Sequence, residues 1–385
     1  MFYFLFWLSL VILGLATLFY PLVLWMVARA RPRALPPAAL TLPRLSVVVA
    51  CRNEEDFIAR KINNLLEMDY PADLLEVILV SAGSTDRTDV IIDLYLPHPQ
   101  LQWMALPPGQ GLTQAWNTGA AAAGGEVLVF TDARQLLKPD SLRALTAPLA
   151  DPGTGGVTGA RLDPDTKGET RKKKIKKIKF KDLIRRMRYA IKTWESRIHS
   201  VTEVNEALFA CRKTLYHPLP PGLVLPGFGT LLQVVQQGYR VVFEPGALIY
   251  DTTRYPLRQE IERYRRIFFG YFQYLFDAPT GLKKAGRPIW WQLTLHNWVR
   301  LSFPLLFLLL FVSNLFIANS WFYNTILLAQ LLVIGVCLLS IVFHKPLLFY
   351  LVSRFNVLVV QSFYDFLTRN SRLSAGREET IGIRR

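Results

Sequence analysis

The chain has 385 residues, of which 51% are apolar, and its formal net charge is +16. This length excludes a single small domain and allows a sizeable core together with further segments. Its three cysteines, Cys51, Cys211 and Cys337, form neither a close pair nor a metal-binding spacing, which argues against a disulfide framework and against a zinc site.

The first predicted element is a membrane-spanning helix over residues 1–29. Residues 2–28 carry no charge, and about 20 apolar residues are enough for a helix to cross a bilayer. Arg29, Arg31 and Arg33 follow this run, which indicates a retained anchor rather than a cleaved signal peptide. The arginines also predict a cytosolic main domain after a linker at residues 30–44, so we expect an integral protein of a bacterial inner membrane.

Residues 45–255 alternate between short β-rich runs and segments with helical spacing. The predicted strands cover residues 45–51, 75–80, 101–106 and 126–131. Alternating strands and helices predict an α/β domain with a mostly parallel sheet and helices on both faces. In such sheets, ligands bind beyond the carboxyl ends of the strands.

Three polar segments follow predicted strands and should meet at this edge of the sheet. They are Arg52-Asn53-Glu54, Ser81 to Asp86, and Asp132 to Arg134. Together they indicate a site for a nucleotide or a similar ligand. Asp86 either contacts this ligand or caps the helix that follows it.

A strongly basic insert occupies residues 167–192. It holds thirteen lysines and arginines against two acids, Glu169 and Asp182, with isoleucines interleaved at helical spacing. On the cytosolic side of a membrane, we expect such a segment to lie on anionic lipid, at about 1 kcal/mol per basic residue near the surface. A solvated basic loop is the alternative. No recognition module for nucleic acid is visible, so a nucleic-acid partner is not expected.

The C-terminal part predicts helices at the membrane. We expect amphipathic interfacial helices over residues 256–300, a transmembrane hairpin over 301–345, and a further membrane or interfacial helix with a basic tail over 346–385. Asp365 lies in the last helix, and its charge favours packing against other helices. Three or four spans per chain are few for a channel, so secretion of a polymer would require a homodimer or a partner subunit.

Several segments resemble, in order, those of the membrane-bound family 2 glycosyltransferases. The stretch "LSVVVACRNEEDFIARKINNLLEMDYPADLLEVILVSAGSTDRT" resembles the family's opening, and "GLTQAWNTGAAAAGGEVLVFTDA" resembles its next block. "QQGYRVVFEPGALIYD" is similar to a later block, and "ERYRRIFFGYFQYLF" to the arginine-bearing interfacial helix. The resemblance runs from about residue 44 to residue 319, and it implies a GT-A nucleotide-sugar-binding domain with transmembrane helices.

The resemblance implies that a nucleotide sugar lies across the strand ends and that its sugar is transferred, with inversion, to a lipid or polysaccharide acceptor. Asp132 matches the first acid of the D-x-D motif, which in the family holds ribose and a divalent metal. Arg134 replaces the second acid, so Mg²⁺ or Mn²⁺ is not assigned. Arg134 either pairs with phosphate oxygens in place of the ion or simply lies on the loop. The expected nucleotide-binding residues are Arg52, Asn53, Glu54, Ser81, Asp86, Asn117, Asp132 and Arg134.

Other positions depart from the family's pattern. Ala82 stands where an acid contacts the base, Leu112 replaces a lysine, and Pro226 and Gly227 replace the acidic pair that supplies the acceptor base. These losses leave two glutamates as candidates for a displaced catalytic base, with a surface or hydrogen-bonding role as the alternative. The half-kept Q-x-x-R-W motif of the family, with Arg263-Tyr264 in the Arg-Trp positions, gives two candidates for a cationic contact. The candidate bases are Glu203 and Glu206; the cations, expected at a diphosphate or at lipid headgroups, are Arg263 and Arg266.

Two functions therefore remain open. The chain is either a membrane-anchored inverting glycosyltransferase or a catalytically degenerate relative that acts as a binding or scaffold partner. A third function, the handling of anionic polymers or lipids, would depend on the basic insert alone.

Overall fold

The structure, a computed structural model, describes six segments of the chain. They are residues 1–30, 41–162, 171–251, 257–277, 287–342 and 348–369. Most of the predicted linker lies outside these segments, as do the first residues of the basic insert and the predicted basic tail after residue 369.

An eight-stranded mixed sheet forms the centre of the main domain. Its strands are Leu45–Cys51 (β1), Leu75–Ser81 (β2), Leu101–Ala105 (β3), Val127–Asp132 (β4), Gln135–Leu137 (β5), Thr154–Leu162 (β6), Phe209–Arg212 (β7) and Arg240–Asp251 (β8). Their spatial order is β3-β2-β1-β4-β7-β6-β8-β5. The first four are parallel, whereas β7 is antiparallel to both β4 and β6. The four strands predicted from the sequence are confirmed, each with its ends within one residue.

Thirteen α-helices fall within the described residues. They are Phe2–Gly14 (α1), Tyr20–Ala30 (α2), Ile58–Leu66 (α3), Thr88–Asp93 (α4), Gly111–Ala122 (α5), Ser141–Thr146 (α6), Arg171–Ile198 (α7), Pro226–Gln236 (α8), Leu257–Phe272 (α9), Arg287–Leu293 (α10), Val299–Ile317 (α11), Trp321–Val342 (α12) and Leu348–Leu367 (α13).

Helices cover both faces of the sheet. Val48 of β1 belongs to a buried cluster with Trp116 of α5, whereas its neighbour Val47 belongs to a second cluster with Ile62 of α3. Successive strand residues point to opposite faces, so an uninterrupted apolar strand needs a hydrophobic layer on each side. The continuous apolar runs of β1 and β2 therefore account for the helix–sheet–helix layering.

Two helices within the described residues are long and apolar enough to cross a membrane. They are Phe2–Ala30, in which α1 continues into α2, and Ile289–Ile317, in which α10 continues into α11. The second helix begins inside the segment predicted to be interfacial. The two helices pack together, with the rings of Phe2 and Phe316 stacked at a centroid distance of 4.3 Å.

A buried ion pair joins α9 to α13. Asp365 is only 3% exposed, and it accepts hydrogen bonds from Nε of Arg265 at 2.5 Å and from the terminal guanidinium nitrogen Nη2 at 2.7 Å. Phe268 and Phe272 of α9 pack in one buried cluster with Leu358 of α13. The charge of Asp365 is thus packed against another helix and compensated there.

We expect Asp365→Asn to destabilise the protein, because it removes the carboxylate that compensates Arg265 across the α9–α13 contact and leaves only Glu262, on α9 itself, at 3.8 Å. Removing one partner of a buried pair costs roughly 3–5 kcal/mol, and the partial exposure of Arg265 places the loss at the low end. Thermal unfolding in detergent measures this loss. The double variant Arg265→Gln/Asp365→Asn should recover part of it, and strictly additive losses would contradict the coupling.

Candidate functional site

The carboxyl ends of three parallel strands bring the predicted polar segments together. Cys51 at the end of β1 is in register with Ser81 at the end of β2, and Ala50 is in register with Asp132 at the end of β4. The loops after these strands therefore leave the sheet side by side, as the sequence predicted.

Hydrogen bonds tie the first two loops to each other. Asn53 has a positive φ of 54°, and its side-chain oxygen accepts a hydrogen bond from the Thr85 amide at 2.8 Å. The Glu54 amide donates to the Thr88 hydroxyl at 2.8 Å. The Ser81 and Ser84 hydroxyls are 2.9 Å apart. The side chains of this edge are thus held in place by one another.

Asp86 caps α4. Its Oδ1 accepts hydrogen bonds from the Thr88 amide at 3.0 Å and from the Thr88 hydroxyl at 2.6 Å, and its Oδ2 accepts one from the Glu55 amide at 3.2 Å. These contacts hold the Asp86 carboxylate at the first turn of α4, and a contact between Asp86 and a ligand stays a prediction.

The side chain of Arg134 is directed to Glu54. Its Nε lies 2.8 Å from each carboxylate oxygen of Glu54, and its guanidinium carbon lies 5.5 Å from the ring centroid of Phe57. This pair connects the loop after β4 to the loop after β1. Because the charges of Arg134 and Glu54 compensate each other, neither is a bare charge at the strand ends.

Asn117 holds a neighbouring loop. Its amide nitrogen donates to the Leu219 carbonyl at 2.8 Å, and its oxygen accepts from the Leu219 amide at 2.9 Å and from the Tyr216 hydroxyl at 2.8 Å. Ala82 is buried and Leu112 packs against the same core. The positions at which polar family residues are missing are therefore filled by apolar packing.

Asp132 is partly exposed at the end of β4, so this carboxylate can be reached from solvent. Beneath it lies Lys61, fully buried, which donates to the Thr131 hydroxyl at 2.8 Å and to the Gln135 carbonyl at 2.6 Å. Burial lowers the pKa of Lys61 to about 7, although Asp132 opposes the shift. The two hydrogen bonds of Lys61 thus fix the turn that carries Asp132 and Arg134.

Sequence reasoning missed Lys61, although a signal was present. Ile58, Ile62 and Leu65 form the apolar stripe of α3, and Lys61 falls on the same stripe at helical spacing. A single lysine among buried positions indicates a polar partner inside the protein, because an unpaired buried ammonium is costly.

Glu206 lies next to Asp132 because of the way β7 pairs with β4. Phe209 is opposite Phe130 in this antiparallel pair, so the residues just before β7 lie beside those just after β4. Burial and the neighbouring charge of Asp132 raise the pKa of Glu206 to about 8, against the opposing effect of the Gly227 amide. Glu206 is therefore a carboxyl group that changes protonation near neutral pH.

Arg263 and Arg266 reach this corner from α9. Their positive charges favour the ionised form of Glu206 and oppose the increase in its pKa. Helix α9 comes close because residue 270 is glycine: a Cβ there would lie 2.6 Å from Cγ of Leu225. The side chain of Gln273 continues the contact by accepting a hydrogen bond from the Val224 amide at 3.0 Å.

Glu203 occupies a different environment. Burial disfavours its charge, but Lys192, Arg188 and Arg300 outweigh this effect and lower the pKa of Glu203 to about 2. The same three cations line a cavity of about 230 Å³ beside it. A carboxylate with so low a pKa is a weak proton acceptor, so the electrostatics distinguish Glu203 from Glu206 as a base.

Glu195 connects four elements at the rear of that cavity. It is 1% exposed and accepts hydrogen bonds from the Tyr20 hydroxyl of α2 at 2.5 Å and from the Thr202 amide at 3.0 Å. Nδ1 of His296, between α10 and α11, lies 3.3 Å from it. Sequence analysis singled out none of these residues, because their partners are far apart in the chain.

The described residues do not build a metal site by themselves. No group of three His, Cys, Asp or Glu side chains among them could hold an ion. Asp132 is one carboxylate, and the residue two positions later is an arginine paired with Glu54. Mg²⁺ is often held by one or two carboxylates together with substrate phosphates, but the donor set here does not itself fit an ion.

Comparisons with known proteins identify the N-terminal part of the domain. Residues 46–208 match the family described as Glycosyl transferase family 2. A beta-monoglucosyldiacylglycerol synthase from Synechocystis sp. is 32% identical over 138 residues, which cover 34% of this chain and 29% of that protein. A poly-beta-1,6-N-acetyl-D-glucosamine synthase from Staphylococcus epidermidis is 27% identical over 116 residues, which cover 30% of this chain and 28% of that protein. These matches span less than a third of either relative.

A solved structure shares the fold over nearly the whole chain. It is the mannosyltransferase PcManGT from Pyrobaculum calidifontis, in complex with GDP-Man and Mn²⁺, with a TM-score of 0.70 and 21% sequence identity. The likeness covers 94% of this chain and 99% of that one. It confirms the predicted fold class, a GT-A domain with a mixed open sheet and helices on both faces.

The low pKa of Lys61 predicts a pH-dependent stability. Between pH 7 and 10.5 the unfolded state binds a proton on Lys61 that the folded state lacks, so this group makes stability rise with pH in that window. Lys61→Met should remove this contribution, which thermal unfolding across the window measures. The control is Lys138→Met, because the pKa of Lys138 is raised by its hydrogen bond to Asp140. Equal pH slopes for Lys61→Met and wild type would contradict the prediction.

Proposed function

We propose, on the premise that residues 46–208 form a glycosyl transferase family 2 domain, that this chain transfers a sugar from a nucleotide sugar to a lipid or polysaccharide acceptor at a membrane, with inversion at the anomeric carbon. The observation that carries the proposal is the convergence of Asp132, Glu206, Arg263 and Arg266 beyond the strand ends. In open α/β sheets this edge is where ligands bind.

The two arginines suit the charge that develops during sugar transfer. When the bond between the sugar and the nucleoside diphosphate breaks, the diphosphate gains negative charge. Guanidinium groups bind phosphate oxygens through two hydrogen bonds at once. Arg263 is exposed and Arg266 is half-buried, so both can meet a bound diphosphate. The loops that surround the nucleotide would then be shaped by the polar residues after the strands, namely Arg52, Asn53, Glu54, Ser81, Asp86 and Arg134.

Asp132 would contact the nucleotide sugar from the strand ends, on the side opposite to Arg263 and Arg266. It is a partly exposed carboxylate at a strand end, where it would meet a ribose hydroxyl group or an ion brought with the phosphates. The neighbour PcManGT was solved with GDP-Man and Mn²⁺, which supports a nucleotide sugar as the donor. Mg²⁺ or Mn²⁺ would have to use the donor's phosphates as ligands.

Relatives and apolar helices support an acceptor at the membrane. One relative is named for a glucosylated diacylglycerol and another for a polysaccharide. The helix Phe2–Ala30 exposes large apolar side chains, among them Phe4 at 68% and Leu18 at 71%, and these would be costly to leave in water. We propose that this helix and Ile289–Ile317 cross a membrane whose cytosolic face adjoins α9.

The basic helix α7 would strengthen this attachment. It spans residues 171–198 and carries most of the basic insert, and its described side chains include exposed Arg186 and Arg188. Anionic headgroups attract such residues at about 1 kcal/mol each near the surface. A homodimer or a partner subunit would be needed only if a polymer is moved across the membrane.

The alternative function is a degenerate subunit that binds without catalysis. It draws on the apolar packing of Ala82 and Leu112 and on the compensation of Arg134 by Glu54. The partly exposed Asp132 and the titratable Glu206 favour an enzyme, because a silent site has no need for either.

We expect Arg263→Ala/Arg266→Ala to weaken donor binding by roughly 10- to 100-fold. A hydrogen bond to a charged group contributes about 1.5–3 kcal/mol, and the exposure of Arg263 to water reduces its share. Isothermal titration with UDP-glucose and GDP-mannose, with and without Mn²⁺, measures this effect. Arg143→Ala is the control, because Arg143 pairs with Asp69 away from the strand ends. If the wild-type protein binds no nucleotide sugar in any of these titrations, the proposed function fails.

Replacement of the first six lysines of α7 by glutamine should lower the affinity for anionic membranes and leave the fold intact. The lysines to exchange are Lys172, Lys173, Lys174, Lys176, Lys177 and Lys179. The measurement is the amount of phosphatidylglycerol, relative to phosphatidylcholine, that the detergent-purified protein retains from mixed vesicles. Wild type should enrich the anionic lipid, and salt should weaken the enrichment. Equal enrichment by both proteins would contradict lipid contact through α7.

A further inference from the structure

Glu206 sits in space that a side chain at position 227 would otherwise fill. A Cβ built on Gly227 would lie 2.9 Å from Cγ of Glu206 and 3.2 Å from its Oε1. Such distances are too short for a carbon that the backbone holds in place. Cγ2 of Val204 would also lie 2.9 Å from this Cβ, so a side chain at residue 227 would require both Glu206 and Val204 to shift, and the glycine makes room for the carboxylate where it lies.

Two hydrogen-bonded features fix this carboxylate. The Gly227 amide, in the first turn of α8, donates to Oε1 of Glu206 at 2.9 Å. The turn that carries Glu206 is held by Asn205, whose amide donates to the Thr158 hydroxyl at 2.8 Å and whose carbonyl accepts from the Leu208 amide at 2.9 Å. One carboxylate oxygen is thus anchored. The structure gives the other oxygen, Oε2, no hydrogen bond to the parts of the chain that it describes.

The charged groups around Glu206 suit a displacement reaction, which needs a proton acceptor for the attacking hydroxyl group and cations for the leaving group. Asp132 approaches from β4, and Arg263 and Arg266 approach from α9. Besides burial, the charge of Glu206 also contributes to raising the pKa values of Tyr271 and Tyr274, from α9 and the turn after it. A proton acceptor therefore lies close to the cations that would hold the leaving group.

We propose that Glu206 is the catalytic base of the sugar transfer, positioned by Gly227 at the N-terminus of α8. This inference rests on the proposed function and names the group that the loss of acids at residues 226 and 227 leaves undefined. Glu206 is a catalytic residue because it would touch the acceptor hydroxyl group itself.

The step balances without any further reactant. The acceptor hydroxyl gives its proton to the free oxygen of Glu206 while its own oxygen forms a bond to the anomeric carbon of the donor sugar. The bond from that carbon to the diphosphate oxygen breaks on the opposite side, and its electron pair leaves with the nucleoside diphosphate. Glu206 then releases the proton to water.

The first test separates a base from a helix cap. Glu206→Gln keeps an oxygen that can accept from the Gly227 amide but removes the proton acceptor. We expect kcat to fall by at least roughly 100-fold, while donor affinity by titration and the melting temperature stay near wild type. The matched control is Glu244→Gln, because Glu244 also accepts from a glycine amide, that of Gly246 at 2.8 Å, and is given no role in transfer.

The second test moves the carboxylate. Glu206→Ala should be inactive. The double variant Glu206→Ala/Gly227→Asp should transfer sugar at least roughly tenfold faster than Glu206→Ala, because the new carboxylate enters the space that Glu206 leaves. Gly227→Ala alone should slow transfer by displacing the carboxylate. Wild-type kcat/KM should rise with pH towards about 8, the pKa of Glu206, and this rise should be absent from Glu206→Gln.

The assays use the full chain in detergent, radiolabelled UDP-glucose and GDP-mannose, and a total lipid extract as acceptor. If wild type and Glu206→Gln transfer sugar at similar rates, the assignment of Glu206 is overturned and the proposed function stands. If wild type binds a donor but transfers from none, the proposed function is overturned together with this inference. If Glu206→Gln loses activity and also melts at a clearly lower temperature than wild type, the result would assign a structural role to Glu206 and overturn its assignment as the base.

Discussion

The close approach of α9 to the segment before α8 is the contact on which the candidate site depends. It exists because residue 270 has no side chain, so that Leu225 can touch the helix backbone. The same helix is held from the other side by the pair Arg265–Asp365. Arg263 and Arg266 share this helix, so their position relative to the strand ends is set by contacts that lie outside the sheet. The contact between α9 and α13 and the two arginines of the candidate site are thereby joined in one helix.

Three glutamates near this helix, of which Glu195 is fully buried and the other two are partly exposed, show how environment assigns different tasks to one residue type. Hydrogen-bond donors from several elements stabilise the ionised form of Glu195, and surrounding cations stabilise that of Glu203. Glu206 receives one backbone donor and an adjacent negative charge, so it alone keeps a pKa near neutrality. Stable ionisation suits a structural link, whereas a carboxyl group that exchanges its proton suits chemistry. The electrostatics therefore separate structural carboxylates from a reactive one without reference to sequence motifs.

The first four strands of the sheet were predictable because their signals are local, whereas β5 to β8 were not predicted. Each of the first four strands is a short apolar run bounded by polar turns, and their pairing follows from the alternation with helices. The site was only partly predictable. Asp132 and Glu206 could be named from their places in the sequence, but the contact between Glu206 and Gly227 joins residues 21 positions apart and depends on the packing of β7 and α8. The capping role of Asp86 and the partner of Arg134 likewise follow from tertiary contacts that no spacing rule contains.

The hydrogen bond from Tyr20 to Glu195 has a consequence for how the chain matures. The tyrosine leaves the ribosome 175 residues before the carboxylate that it will bind, so this contact of the first helix can form only after about half of the 385-residue chain has been made. A chain shortened to begin after residue 30 would keep Glu195 buried with one donor fewer, at a cost of about 1–3 kcal/mol. The N-terminal helix is thus packed into the fold through Tyr20, and trimming it would loosen the rear wall of the cationic cavity.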